Sequence, residues 1–307
     1  MFLVFLLYAL FASIFTFSKT ALEFTDPLFF VGSRMFVAGF LLLVYQFIRE
    51  PKSFAVKRAH FLPLFLLAFF NIYLTNVCEV WGLKYLTSAK TCFIYSLSPF
   101  LSTLLAYFMF SEKLSSRKWL GLIIGFLGFI PILVHHTASE EAGGHFLVFS
   151  WPELAVFVAA FASVYGWILL CKLVRDLHYS PTMANGTSML MGGTMALFHS
   201  FLVEDWNPVP VTQWVPFLEC SLCVIVISNF TCYNLYGVLL RRYSAPFMSF
   251  AGFMTPLIAA LFGWIFLDEV VALPFYLSAI IVFFGLVIFY QEELKSVEVE
   301  ESSCGLS

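Results

Sequence analysis

Apolar residues occur in long runs along almost the whole chain, and short polar stretches separate each run from the next. A helix needs about 20 mostly apolar residues to cross the hydrocarbon core of a bilayer. The pattern therefore predicts ten transmembrane helices, over residues 2–20, 27–48, 61–83, 86–110, 117–135, 153–173, 181–202, 213–239, 244–267 and 272–290. We expect an all-α, polytopic membrane protein whose surroundings are the lipid bilayer.

The composition agrees with this pattern and excludes several classes of protein. Hydrophobic residues make up 61% of the chain and charged residues 11%, whereas a soluble domain is about one-quarter charged. No basic patch is large enough to follow nucleic-acid phosphates, so we expect no nucleic acid partner. Six of the 7 cysteines lie in apolar runs, which favours packing over metal or redox chemistry. Without a phosphate-binding glycine loop or a nucleophile elbow, we expect no enzyme activity, no cofactor and no metal.

The positions of the basic residues predict the orientation in the membrane. If the N-terminus is cytoplasmic, twelve of the 16 Lys and Arg residues lie on the cytoplasmic side, and three, Lys19, Lys84 and Lys90, lie outside. Because cytoplasmic loops carry an excess of Lys and Arg, we expect both termini to be cytoplasmic. The acidic tail, residues 292–307, is expected to be disordered.

The two halves of the chain repeat the same residues at nearly constant offsets. At an offset of 154, Pro27, Gly32, Met35 and Gly39 recur as Pro181, Gly186, Met189 and Gly193. At an offset of 157, Pro99, Glu112 and Gly128 recur as Pro256, Glu269 and Gly285, and Asn71 and Asn76 match Asn229 and Asn234 at 158. Each half holds five predicted spans, and an odd number turns the second copy upside down. The sequence thus predicts two inverted five-helix repeats, residues 1–136 and 152–291, joined by an external linker, 137–151.

The repeated regions also carry a motif. SLSPFLSTLLAYFMFSEKLSSRKWLGLIIGFLGF in the first half is echoed by GFMTPLIAALFGWIFLDEVVALPFYLSAIIVFFGL in the second. The chain resembles the EamA type of the drug/metabolite transporter superfamily from its first span to residue 290. This resemblance implies a secondary transporter of the cell inner (plasma) membrane that moves a small metabolite by alternating access. One departure is that Ser278 and Val282 stand where the first half has Gly121 and Gly125.

One positive charge lies inside the second predicted span. Arg34 is eight residues past Asp26, about 12 Å down a helix from the outer surface. An arginine in the middle of a span costs about 2.5–3.5 kcal/mol even on a lenient scale, so it is retained where it faces a cavity or a partner. Arg34 therefore either contacts substrate or forms a structural ion pair with Glu79 or Asp26.

Other polar residues follow helical faces that would be costly against lipid. The fourth predicted span carries a stripe with spacings of three and four residues: Ser88, Thr91, Tyr95, Ser98 and Ser102. The expected substrate-binding residues are Arg34, Asn76, Glu79, Lys90, Tyr95, Ser98, Trp167, Asn229 and Tyr233. Lys90 either contacts substrate or extends to the outer surface. Each aromatic ring either contacts substrate or serves packing alone.

These groups suit a zwitterionic metabolite with an aromatic part, either amino-acid-like or nucleoside-containing. The Arg34 fork fits a carboxylate, Glu79 could take an ammonium group, and the rings could hold a flat base or a soft cation. Within the superfamily the chain is similar to the S-adenosylmethionine carriers of obligate intracellular bacteria. That resemblance implies uptake of S-adenosylmethionine in exchange for S-adenosylhomocysteine. The alternative, on the same fold, is an exporter of amino acids or other amphipathic metabolites.

Overall fold

The computed structural model describes residues 2–51, 60–110, 115–134, 138–146, 149–175, 177, 179–239, 248 and 251–304. Helices make up most of this part of the chain. Strands β1 (His145–Phe146) and β2 (Phe149–Ser150) form one short antiparallel hairpin in the linker between the halves. The all-α class is confirmed.

The main helices follow one another with short connections. They are α1 (Phe2–Ala21), α2 (Pro27–Arg49), α3 (Phe61–Tyr85), α4 (Ser88–Tyr95), α5 (Ser98–Phe110), α6 (Ser116–Leu127), α7 (Ile130–Val134), α8 (Ala138–Ala142), α9 (Trp151–Arg175), α10 (Pro181–Val203), α11 (214–239), α12 (Met254–Phe266) and α13 (Leu273–Cys304). Asp26, Ser115 and Ser180 occupy the N-cap positions of α2, α6 and α10, where short polar residues are favoured.

Within the described ranges, seven helices are long and apolar enough to cross a membrane: 2–21, 27–49, 61–85, 116–133, 151–174, 214–236 and 273–291. Three of the ten predicted spans are outside this set. The fourth is interrupted at Ser96 and Leu97, between α4 and α5. The seventh, α10, has 23 residues, but its Asn, Ser, Thr and Gly residues lower its hydropathy. The ninth lies partly outside the described residues, and α12 covers 13 residues of it.

Two long helices contain a π-helical segment, which the sequence pattern did not predict. One is Ala68–Leu74 in α3, and the other is Ile225–Cys232 in α11. Their first residues are 157 positions apart, so the two segments occupy matching places in the two halves. A π-helical turn inside an α-helix is rare and occurs often at functional sites.

Glycines bring α2 and α10 into close antiparallel contact, and we call this contact the α2–α10 seam. A Cβ atom added to any glycine of this seam would lie 2.4–3.1 Å from the facing helix. Small residues allow backbones to approach in this way inside a membrane, where dispersion contacts stabilise the helix pair. The close pairs are Gly32–Leu197, Phe36–Gly193, Gly39–Leu190 and Leu43–Gly186.

A second antiparallel seam joins α6, and α7 after it, to α13. It includes close contacts of α6 with α13 and a hydrogen bond of 3.1 Å from the Ile132 N–H to Ser278 Oγ. Ser278 and Val282, which depart from the glycine pattern, are buried in this seam with no exposed area. The pairs are Gly121–Phe289, Gly125–Gly285, Gly128–Val282 and Ile132–Ser278.

The last helix continues past the membrane segment. α13 runs to Cys304, so the structure describes residues 292–304 as helix, where we expected disorder. Residues 291–304 contain neither Gly nor Pro, and their Glu and Lys residues favour helix. A helix that has already been nucleated in the membrane therefore has no residue to stop it before Gly305.

Replacing Gly39 by alanine is expected to destabilise the protein by about 1–3 kcal/mol, because overpacking forces backbone shifts. The new Cβ would lie 2.4 Å from the backbone nitrogen of Leu190, which no side-chain rotation can relieve. Thermal melting in detergent would measure the loss. The matched control is Val37→Ile, which adds one methyl group to an exposed position of the same helix. Equal melting of Gly39→Ala and Val37→Ile would contradict the close approach of the two helices.

Candidate functional site

The Arg34 guanidinium is buried inside the helix bundle. Its side chain is 2% exposed, and Nη2 donates a hydrogen bond of 2.8 Å to Asn76 Oδ1. The guanidinium carbon lies 5.2 Å from the centroid of the Phe30 ring, one helical turn earlier. Within the described residues, Arg34 Nε has no hydrogen-bond partner. A buried guanidinium with a free N–H retains capacity for an anionic ligand.

The π segment of α3 explains how Asn76 is oriented. Thr75 Oγ1 donates to the Phe70 carbonyl at 2.7 Å, and Asn76 Nδ2 donates to the Asn71 and Ile72 carbonyls at 3.2 and 2.9 Å. The side chains thus add hydrogen bonds to carbonyl groups of the π turn. With its amide nitrogen held in this way, Asn76 presents its oxygen to Arg34.

Glu79 lies one turn beyond Asn76 on α3. The Tyr95 hydroxyl group, on α4, donates a hydrogen bond of 2.6 Å to Glu79 Oε2. Both side chains are half-buried. Arg34 interacts electrostatically with Glu79, Tyr95 and Tyr233, so these four residues from α2, α3, α4 and α11 form one cluster.

No ion pair joins Arg34 to a carboxylate in the part of the chain that the structure describes. The Asp26 carboxylate lies 3.7 Å from the Lys84 ammonium instead, at an exposed position. The structural pairing that we considered for Arg34, with Glu79 or Asp26, is therefore not formed in this conformation.

Two further aromatic rings, Trp167 and Tyr236, extend this cluster from Tyr233. The Trp167 ring of α9 lies 5.4 Å from the Tyr233 ring and 5.0 Å from the Tyr236 ring, both of α11, at interplanar angles of 37° and 39°. We did not include Tyr236 among the site residues, although the three-residue spacing from Tyr233 places it on the same helical face. Electron-rich ring faces of this kind attract flat bases and soft cations.

Lys90 is held away from the Arg34 cluster by two carboxylates. Its ammonium group lies 2.8 Å from Glu140 Oε2 and 2.7 Å from Glu153 Oε1, and all three side chains are nearly fully buried. Glu140 belongs to α8 in the linker, and Glu153 belongs to the first turn of α9. The Ser150 N–H also donates to Glu153 Oε2 at 2.7 Å. Lys90 thus joins α4 to the linker.

Ser98 has a local role that proline chemistry explains. Pro99 has no N–H, so it cannot donate to the Tyr95 carbonyl as a helix would require. Ser98 Oγ donates to that carbonyl instead, at 2.6 Å. The hydroxyl group therefore satisfies the backbone at the interruption between α4 and α5.

Asn229 lies in the π segment of α11 and is fully buried. Its Nδ2 donates to two sulfur atoms, Met35 Sδ at 3.1 Å and Met189 Sδ at 3.6 Å. Met35 follows Arg34 directly on α2, so Asn229 borders the cluster.

Glu269 connects the two halves of the chain. Its carboxylate accepts hydrogen bonds from the Ser88 N–H at 2.9–3.0 Å, and Lys19 lies 2.8 Å from Oε1. The carboxylate thereby caps the first turn of α4, and Glu269 is 9% exposed. Its counterpart Glu112 lies outside the described residues.

Comparison with known proteins identifies the family. The family model described as the EamA-like transporter family matches residues 1–134 and 150–291. A protein of Chlamydia muridarum named S-adenosylmethionine/S-adenosylhomocysteine transporter is 39% identical over 87% of this chain and 84% of its own length. A protein of the same name from Chlamydia trachomatis serovar L2 is 38% identical over 87% and 82%.

A solved crystal structure shares the fold at low sequence identity. It matches with a TM-score of 0.60 and 14% identity, over 94% of this chain and 95% of that one.

In the described part of the chain, no group of three or more His, Cys, Asp or Glu residues could hold a metal ion. The chain belongs to the EamA-like transporter family, and it is a multi-pass membrane transporter and not an enzyme.

Proposed function

We propose that this chain carries S-adenosylmethionine across the cell inner membrane in exchange for S-adenosylhomocysteine. The observation that carries the proposal is the buried Arg34 guanidinium, which keeps an unpaired N–H beside the half-buried Glu79 carboxylate. The names of the Chlamydia relatives, at 38–39% identity over most of this chain, support the identity of the substrates.

The chemistry of the site fits both molecules. The substrate carboxylate would bind Arg34, because a guanidinium fork matches two carboxylate oxygens. The substrate ammonium would bind Glu79, whose second oxygen, Oε2, already accepts from Tyr95. The rings of Trp167, Tyr233 and Tyr236 would hold the sulfonium or the base by cation–π attraction and stacking.

Alternating access by two inverted repeats of five helices is the proposed mechanism, and the two helix seams support it. In the α2–α10 seam, the 154-residue offset converts the pair Gly32–Leu197 into Leu43–Gly186, and both pairs are in contact. In the other seam, an offset of 157 converts Gly121–Phe289 into Ile132–Ser278, and again both are in contact. In each seam, the repeat offset converts one contacting pair of residues into another contacting pair. This is expected when a two-fold axis in the membrane plane relates the two repeats.

The orientation with both termini in the cytoplasm is part of the proposal. It rests on the excess of Lys and Arg on one side of the predicted spans. The two stretches that the family model matches, 1–134 and 150–291, support the division into two halves with a linker between them.

Uptake of labelled S-adenosylmethionine by bacterial cells that express the chain is the test of this proposal. We expect saturable uptake that excess S-adenosylhomocysteine blocks and that methionine and adenosine do not block, since each of these lacks half of the recognised groups. Cells with an empty vector are the control. If the folded protein is present in the membrane and uptake stays at the control level, the import proposal is wrong, and efflux of amino acids becomes the next measurement.

A further inference from the structure

Asn229 is a buried amide whose hydrogen-bonding capacity the protein leaves largely unused. It lies in the π segment of α11 with no exposed area. Its Nδ2 donates to the thioethers of Met35 and Met189, at 3.1 and 3.6 Å. Within the described residues its Oδ1 has no hydrogen-bond partner.

This arrangement is unfavourable for a residue with a purely structural role. A thioether sulfur is a weak acceptor, and a buried amide oxygen without a partner costs free energy. Leucine or methionine would fill the same space without that cost. Almost all buried polar groups in native proteins are paired, so an unpaired one requires an explanation. A ligand group that replaces the weak sulfur contacts and pairs the oxygen would supply it.

Asn229 is also continuous with the Arg34 cluster. Tyr233 lies four residues later on the same helix, about 6 Å along its axis, and interacts electrostatically with Arg34 and Glu79. On the other side, Met35 is the sequence neighbour of Arg34 and touches the Asn229 amide. A substrate whose amino-acid end binds Arg34 and Glu79 thus has Asn229 at the border of its site.

We propose that Asn229, between the thioethers of Met35 and Met189, forms the subsite that reads the base edge of the substrate. This proposal rests on the proposed function and deepens it. An asparagine amide pairs in two places with adenine, where its oxygen accepts from the exocyclic amino group and its nitrogen donates to a ring nitrogen. The methionine side chains, which are flexible and polarisable, would adapt to the flat base.

The subsite predicts discrimination between adenine and hypoxanthine. Deamination replaces the exocyclic amino donor by a carbonyl acceptor, which would face the Asn229 oxygen. S-adenosylhomocysteine is therefore expected to compete with labelled S-adenosylmethionine about tenfold more strongly, or better, than S-inosylhomocysteine does in cells with the unaltered chain. In Asn229→Leu, which removes both polar atoms, this ratio is expected to fall to about one.

Asn234 provides the matched control on the same helix. Its Nδ2 donates to the carbonyl of Phe230 within α11 at 2.7 Å, so its amide is already paired. Asn234→Leu makes the same chemical change and is expected to keep the ratio of the unaltered chain. A second variant, Asn229→Met, removes the amide and keeps a flexible side chain, in case the leucine variant does not reach the membrane.

The outcomes separate this proposal from the proposed function. Suppose that the unaltered chain takes up S-adenosylmethionine and that S-adenosylhomocysteine and S-inosylhomocysteine compete with it equally well. The subsite proposal is then overturned, whatever the variants do. It is also overturned if an Asn229 variant that reaches the membrane keeps the full ratio. If the folded, unaltered chain takes up no S-adenosylmethionine, both proposals are overturned. A ratio that Asn229 variants alone remove would support the base-reading role.

Discussion

Arg34→Ala is expected to reduce S-adenosylmethionine uptake, measured as the ratio of maximal rate to half-saturating concentration, by about 10- to 100-fold. The physical reason is the loss of charge-assisted hydrogen bonds, worth about 1.5–3 kcal/mol each. Arg34 is 2% exposed, and its guanidinium donates a hydrogen bond to the neutral amide of Asn76. A substrate carboxylate would therefore meet a positive charge that no ion pair within the described residues neutralises.

Two further variants separate charge from geometry and from general damage. Arg34→Lys retains the positive charge but loses the planar fork, so uptake is expected to recover only in part. Arg49→Ala removes an exposed arginine at the other end of the same helix, where it contacts Tyr45, and is expected to leave uptake unchanged. Native uptake by a folded Arg34→Ala variant would remove Arg34 from the substrate site.

Lys90→Met is expected to have the largest effect on stability, with a loss of about 3–5 kcal/mol in the free energy of unfolding. The substitution leaves the carboxylates of Glu140 and Glu153, both 1% exposed in their side chains, without their shared ammonium. The cost is the desolvation of charges that have lost their counter-charge. Thermal melting in detergent is the measurement.

Lys84, six residues before Lys90, gives a matched control. Lys84 lies 3.7 Å from Asp26, and both side chains are 42% exposed, so Lys84→Met is expected to cost no more than about 1 kcal/mol. Combining Lys90→Met with Glu140→Gln and Glu153→Gln removes all three charges and is expected to regain most of the lost stability. Equal melting of Lys90→Met and Lys84→Met would show that the buried ion pairs do not stabilise the linker.

The ion pairs of Lys90 illustrate why the site could be predicted only in part. The sequence places Lys90 at the outer end of a polar helical face, which is compatible with substrate contact or with extension to the surface. Its partners lie 50 and 63 positions away in the chain, Glu140 in the linker and Glu153 at the start of α9. No local pattern encodes such a pairing, because the linker must first fold back over α4.

Arg34 and Asn76 give the opposite example. Spacing along α3 places Asn76 and Glu79 on one face, and the cost of a charge in the membrane requires either a cavity or a partner for Arg34. The structure brings Arg34 and Asn76 to 2.8 Å. The π segment that turns the Asn76 oxygen towards Arg34 has no signature in the hydrophobic pattern, since π turns depend on the packing around them.

The sequence by itself determined the all-α class, the membrane environment, and the presence of charged and amide groups within the spans. These follow from local quantities, because hydropathy, helical spacing and breakers act within about 20 residues. Only the tertiary structure decided which of these groups meet, where α3 and α11 change to π-helix, and that Glu269 caps α4. Such features depend on contacts between distant segments, whose free energy is gained only when the helices pack.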